Sequence, residues 1–259
     1  QTWSRKMIFR QLFDRETCTY TYLLGDEKSK QALLIDPVKE QVERDLRLIA
    51  ELGLTLKYTL ETHVHADHVT ASGLLREKVG SQSVFSSDSG NQCADILLQH
   101  GEVLEMGSVR LEGRHTPGHT NGCITFVEHK KALAFTGDTL FVRGCGRTDF
   151  QQGSAEDLYQ SVHEQIYSLP LETKVYPGHD YKGRTMSTVK EEMEFNPRLQ
   201  KTTSLQDFVE IMKRSHKKVT ISKERFFMGS KNLLVGTKVK EDVIDSKTDD
   251  VLVKSGKKV

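Results

Sequence analysis

Between Thr62 and His68 the chain reads Thr-His-Val-His-Ala-Asp-His, which packs three imidazoles and one carboxylate into the six positions from His63 to His68. Side chains of an extended segment alternate with period two, so His63 and His65 are expected on one side of the chain. A turn at Ala66 then brings Asp67 and His68 around the same point. Imidazole and carboxylate are ligand types for zinc, iron or manganese, and this density is costly to assemble without a cation. Leu56 to Leu60 reads as a strand running straight into the cluster, so any fold for this chain has to end a strand at a metal-binding loop.

Three further segments repeat the pattern. Thr116-Pro117-Gly118-His119-Thr120 sets a histidine in a tight loop before a strand, and Phe135-Thr136-Gly137-Asp138 sets a carboxylate at the end of an apolar strand. Tyr176-Pro177-Gly178-His179-Asp180 repeats the Pro-Gly-His motif after another strand. Alone, a loop histidine is ordinarily a surface residue and a strand-end aspartate is ordinarily a cap. Four such strand ends in one chain point instead to loops gathered at one edge of a sheet sandwich, where a rigid scaffold aims them at one spot.

The rest of the pattern fits that architecture. Strands are predicted at 19–24, 32–35, 109–111, 123–127, 132–135 and 175–176, and helices at 38–52, 72–78, 154–169, 185–195 and 204–213. Strand runs with helices before and after them predict an α/β sandwich of two sheets covered by helices on their outer faces. From about Ser215 the chain turns Lys-rich and weakly periodic, so the expected division is a domain over 7–214 and an extension over 215–259 without catalytic residues. Within that extension, Phe226-Phe227-Met228 and Leu233-Leu234-Val235 are the two apolar patches able to dock on the domain or on a second subunit. Residues 1–6 precede the first apolar run, Met7-Ile8-Phe9, and are read as outside the fold.

Composition narrows the function class. Hydrophobic residues at 36% are enough for a sizeable core, and a net charge of +1 gives no electrostatic footprint for nucleic acid. No apolar run approaches the roughly 20 residues that cross a bilayer, so no membrane role is expected. Cys18, Cys93, Cys123 and Cys145 form no C-x-x-C pair, which reads most simply as free thiols in a reducing compartment, with two disulfides left open. The expected compartment is the cytoplasm in a bacterium, or else the mitochondrial matrix.

The order H-x-H-x-D-H, then His119, then Gly137-Asp138, then Gly178-His179 resembles the metallo-β-lactamase superfamily over about residues 7–200. The resemblance implies an αββα sandwich of two mixed β-sheets flanked by helices. In its dinuclear hydrolases the matching positions form two sites, one from His63, His65 and His119 and the other from Asp67, His68 and His179, with Asp138 bridging.

Other segments resemble the persulfide dioxygenase family more closely. They are Cys18 to Asp26, the run Arg143-Gly-Cys-Gly-Arg-Thr-Asp-Phe-Gln-Gln-Gly153, Tyr176 to Tyr181, and Asn196-Pro-Arg-Leu199. That resemblance implies one Fe(II) per subunit held by His63, His119 and Asp138, which would also be the catalytic centre. His65, Asp67, His68 and His179 would then orient the ligands. The implied reactants are glutathione persulfide and O₂, with Arg147, Tyr181 and Arg198 holding the glutathione part, and a homodimer is the candidate assembly. After Leu199 the family's short Pro-containing stretch is replaced here by Ser215-His216-Lys217-Lys218 and the basic tail. The alternative is a glyoxalase II-like hydroxyacylglutathione hydrolase using two zinc, iron or manganese ions.

Overall fold

The computed structural model describes residues 7–217, 243–244 and 251–253. The chain divides into two compact units, Gln1–Leu205 and Gln206–Val259. In the first, six strands form one sheet in chain order: β1 (Met7–Asp14), β2 (Thr19–Asp26), β3 (Gln31–Ile35), β4 (Thr55–Leu60), β5 (Gln82–Ser86) and β6 (Ile96–Leu98). Its first three strands are antiparallel and its last three join in parallel. The second sheet runs in the order β12 (Ser187–Thr188), β11 (Lys174–Pro177), β10 (Leu133–Gly137), β9 (Ile124–Glu128), β8 (Val109–His115) and β7 (Val103–Met106). Here only β10 and β11 pair in parallel. The expected pair of mixed sheets is therefore present.

Period-two alternation decides which layer each side chain enters. Tyr22 and Leu24 of β2, and Leu33 and Ile35 of β3, point into the space between the sheets, where they meet Leu111, Phe126, Phe135 and Tyr176. Their neighbours Leu23, Ala32 and Leu34 face the other way and pack with Val42, Ile49 and Leu75. Those three lie on α1 (Val42–Glu51) and α2 (Ser72–Val79). Both faces of β2 and β3 are thus covered, which explains why these strands read as nearly continuous apolar runs.

Helix ends follow local chemistry. Gly80 closes α2 at φ +72°, a left-handed position that glycine takes without steric cost. Ser154 opens α3 (Ala155–Gln160), its Oγ accepting from the Asp157 N–H at 3.1 Å. The single helix predicted over 154–169 is instead α3 followed by a wider π turn, Ser161–Ile166. Within that turn the Ser161 hydroxyl donates to the carbonyl of Pro117 at 2.7 Å, so this segment pins the loop that carries His119. The helix predicted from 185 is shorter, α4 (Val189–Phe195), because Ser187 and Thr188 pair with β11 first.

The pattern passed over β1, β5, β6, β7 and β12. In β5 the buried Ser83 hides the apolar signal, and its hydroxyl and N–H are satisfied by the Asp95 carboxylate at 2.9 and 2.7 Å. None of the four cysteines forms a disulfide among the described residues.

The second unit contains α5 (Leu205–Lys217) and a short antiparallel pair, β13 (Val243–Ile244) with β14 (Val251–Val253). The apolar patches at 226–228 and 233–235 lie outside the described residues. No helix among the described residues is long and apolar enough to cross a membrane.

Candidate metal centre

His63, His119 and Asp138 are all buried, and one donor atom from each lies within 4.8 Å of the others. His63 follows β4, His119 sits between β8 and β9, and Asp138 follows β10. The β10–β11 register slips between Phe135 and Gly137, and Gly137 takes φ +53°, so the chain turns before it presents the carboxylate. His63 Nε2 is 3.9 Å and His119 Nε2 3.6 Å from Asp138 Oδ2.

Hydrogen bonds behind the rings assign their protons. His119 Nδ1 faces the carbonyl oxygen of Arg147 at 2.8 Å, and a carbonyl only accepts, so the proton is on Nδ1. Thr62 Oγ1 donates its one proton to Asp36 Oδ2 at 2.8 Å and so accepts from His63 Nδ1 at 2.9 Å. Both rings therefore turn Nε2, the nitrogen left for a ligand, toward Asp138. Burial, aided by the neighbouring His65, pushes the His63 pKa well below normal and keeps the ring neutral. Burial alone would raise the Asp138 pKa, but the charge and hydrogen bond of His179 outweigh it and keep the carboxylate ionised. Two ring nitrogens and a carboxylate converge, a donor set suited to a divalent cation.

A second group, His65, Asp67, His68 and His179, also has donor atoms within 4.8 Å of one another. Its bonds are of another kind. His179 spends both nitrogens on carboxylates, donating through Nδ1 to Asp138 Oδ1 at 2.6 Å and through Nε2 to Asp67 Oδ2 at 3.0 Å. Burial opposes protonation there, yet the Asp138 and Asp67 charges lift its pKa to about 9. His68 Nδ1 also meets Asp67 Oδ2, at 3.0 Å. His65 Nε2 lies 3.2 Å from Asp36 Oδ1 and 3.5 Å from Glu61 Oε2, as charge contacts rather than aligned hydrogen bonds. The rings of His63 and His65 are 4.0 Å apart, so the expected same-side projection is present.

The remaining sequence-selected residues surround these groups. Tyr181 lies parallel to the His179 ring at 6.2 Å, and burial raises its pKa so that the hydroxyl stays neutral. Arg147 forms a two-point pair with Asp149 at 2.7 and 2.9 Å and lies over the Phe150 ring. Arg198 hydrogen-bonds the thiol of Cys145, whose pKa burial raises, leaving that cysteine a neutral packing group. His115 is held by Asp88 and Ser86, and His163 by the Tyr159 carbonyl, both outside these donor groups and outside a third formed by Asp36, Glu61 and His65.

Sequence reading missed Asp36 and Thr19. Asp36 directly follows the predicted strand 32–35, and at φ +51° it accepts from the Thr62 N–H and hydroxyl and so sets His63. Thr19, within β2, places its hydroxyl 3.1 Å from His179 Nε2. The signal at Asp36 was the aspartate itself, a residue type that tolerates the left-handed region.

Two glycines allow the close approach. Gly118, at φ +138°, leaves no room for a side chain, since an added Cβ would lie 2.3 Å from the Leu158 backbone. At Gly146 an added Cβ would lie 2.4 Å from the Asp138 carbonyl oxygen and 2.9 Å from His119 Nδ1.

Residues 18–84 and 94–179 match the metallo-beta-lactamase superfamily model. The mitochondrial persulfide dioxygenase ETHE1 of Homo sapiens is 55% identical over 207 residues, 80% of each chain. The crystal structure of ETHE1 from Myxococcus xanthus superposes with a TM-score of 0.77 at 52% identity, covering 80% of this chain and 90% of that one. Hydroxyacylglutathione hydrolase GloC of Haemophilus influenzae is 36% identical, covering 68% of this chain and 90% of its own length. With the fold, the donor groups and these similarities in agreement, the chain belongs to the metallo-β-lactamase superfamily and, within it, to the persulfide dioxygenase family.

Proposed function

We propose that this protein is a persulfide dioxygenase that oxidises glutathione persulfide with O₂ and water to glutathione and sulfite, using one Fe(II) held by His63, His119 and Asp138. The observation that carries the reading is the 55% identity to a persulfide dioxygenase across 80% of both chains. The donor set supports it: two neutral imidazoles and one carboxylate converge, a combination that suits a non-haem iron site with open positions. Iron bound there would supply a redox-active centre at which the persulfide sulfur and O₂ meet, lowering the entropic cost of their encounter.

The protein's own groups then have defined work. The Arg147 carbonyl and Thr62 hold the two rings in the ligating tautomer. His179 carries a proton on Nδ1 against Asp138 Oδ1, which leaves Oδ2 to face the two imidazoles. His65, Asp67 and His68 fix that arrangement from behind. Arg147, Tyr181 and Arg198 are the groups we assign to the glutathione part, Arg198 through charge and Tyr181 through its neutral hydroxyl. All of these residues lie within 7–214, the span we assign to the catalytic domain. For compartment we favour the mitochondrial matrix, since the human relative is named as mitochondrial.

The second donor group favours one other reading, a dinuclear hydroxyacylglutathione hydrolase related to GloC. Anaerobic purification with metal analysis, followed by oxygen-electrode assay with glutathione persulfide, separates the two. One iron per chain with oxygen uptake is the expected result. Two metal ions per chain with thioester hydrolysis and no oxygen uptake would replace it.

A further inference from the structure

Asn196 ends α4 with 0% of its surface exposed, and its side chain ties that helix to two other segments. Nδ2 donates to the Gly144 carbonyl at 3.1 Å and to Glu192 Oε2 at 2.9 Å. Oδ1 accepts from the N–H groups of Arg198 and Leu199, each at 3.0 Å. Two donors and two acceptor sites are all that a primary amide offers, so every one is committed. A plain helix stop would need none of the bond to Gly144, which is 52 residues away in the chain.

Glu192, equally buried, grips the same loop by a second route. Its Oε2 accepts from the Arg143 N–H at 2.9 Å, and its Oε1 pairs with the Arg143 guanidinium. Arg143 sits at φ +60°, a conformation that a side-chain-bearing residue keeps only where its surroundings hold it. From that anchored start the loop carries the Gly146 N–H onto the Asp138 carbonyl at 2.8 Å and the Arg147 carbonyl onto His119 Nδ1. On the other side of Asn196, Arg198 reaches back to Cys145 in the same loop.

We propose that Asn196 is a positioning residue that sets the 143–147 loop and the Arg198 segment at one fixed spacing, so that a glutathione moiety held by Arg198 lies in register with the donor group at His119. For the identity of the substrate this rests on the persulfide dioxygenase reading. Metal affinity depends on it little, because the Gly146 to Asp138 hydrogen bond holds the metal side of the loop independently.

Asn196→Asp tests this with almost no change of size. Aspartate keeps both acceptor contacts to Arg198 and Leu199 but loses the donor to Gly144 and opposes Glu192. The iron-loaded wild type and variant are compared by metal content, by calorimetric titration with glutathione, and by kcat and KM for glutathione persulfide. Loss of one or two buried hydrogen bonds is expected to raise both the glutathione Kd and KM by roughly five- to tenfold, with kcat within about threefold. Iron content is expected to stay at the wild-type level. Should Asn196→Asp fail to fold, Asn196→Ser also cannot reach Gly144 and takes its place. Unchanged Kd and KM in a folded variant, or a defect confined to kcat and iron content, overturns the proposal. Glutathione binding is read without turnover, so a wild type that binds it but consumes no oxygen removes the dioxygenase reading and leaves this positioning role intact.

Discussion

His119 donates from Nδ1 to the main-chain carbonyl of Arg147 at 2.8 Å, so the backbone of Arg147 serves the metal donor group while its side chain points to Asp149 and Phe150. The two halves of one residue therefore have separable roles. A substitution that removes the guanidinium leaves the carbonyl in place.

Arg147→Ala is accordingly expected to keep its iron and to lose substrate affinity. The charge-assisted contact is worth about 1.5 kcal/mol, the low end of its range, because Asp149 competes for the same fork. Metal analysis alongside KM for glutathione persulfide checks this. A variant that loses iron would show that the side chain, not the carbonyl, supports His119.

Gly146→Ala should do the reverse. Its methyl group would press on the Asp138 carbonyl and on His119 Nδ1, both well inside contact distance. Iron affinity is expected to fall at least about tenfold, since displacing the ring costs more than ~1.4 kcal/mol. The metal-free protein is also expected to unfold at a lower temperature, because the closest approach is to a backbone carbonyl that cannot swing aside. Undiminished iron binding by competition with a chelator would refute this.

Asp138→Ala removes the only carboxylate of the buried triad. A ligand that binds only the folded state raises Tm in proportion to its occupancy. Wild-type protein should therefore melt higher with Fe(II) than after chelation, and that gap should vanish in Asp138→Ala. Persistence of the full metal-dependent shift would relocate the ion to the second donor group.

A pH effect is expected on α1. Burial raises the Asp45 pKa from 3.8 to about 6 against the opposing Arg44, and Asp45 Oδ2 has no hydrogen-bond partner among the described residues. Between those two values the folded state holds the proton more tightly than the unfolded chain. The stability this confers is complete below pH 3.8 and is lost as pH rises to about 6. The gap corresponds to on the order of 2–3 kcal/mol of cost at neutral pH. Asp45→Asn should therefore stabilise the protein at pH 7 and have little effect at pH 4, measured by urea unfolding at both. Equal effects at the two pH values would place the cause elsewhere.

Local order was sufficient for much of this molecule. The segment from His63 to His68, the two Pro-Gly-His loops and Gly137-Asp138 identify a metal centre at strand ends, because ligand chemistry and short-range turn geometry are written in adjacent residues. The same holds for β2, β3, β4, β9 and β10, whose buried apolar runs survive any tertiary context. Other strands were illegible for a stated cause: β5 buries a serine that only a distant aspartate, Asp95, makes affordable.

What tertiary structure alone decided is which lone pairs converge. The four motifs from His63 to His179 offer seven donors, His63, His65, Asp67, His68, His119, Asp138 and His179, and nothing local sorts them. Folding places the Arg147 carbonyl behind one ring and Thr62 with Asp36 behind another, which turns the Nε2 of each toward Asp138. It also sets His179 between two carboxylates, so that both its nitrogens hold protons. Ligand type is a property of a residue and can be read from a sequence. The direction of a lone pair depends on hydrogen-bond partners up to 160 residues away, and only the packed chain brings those together.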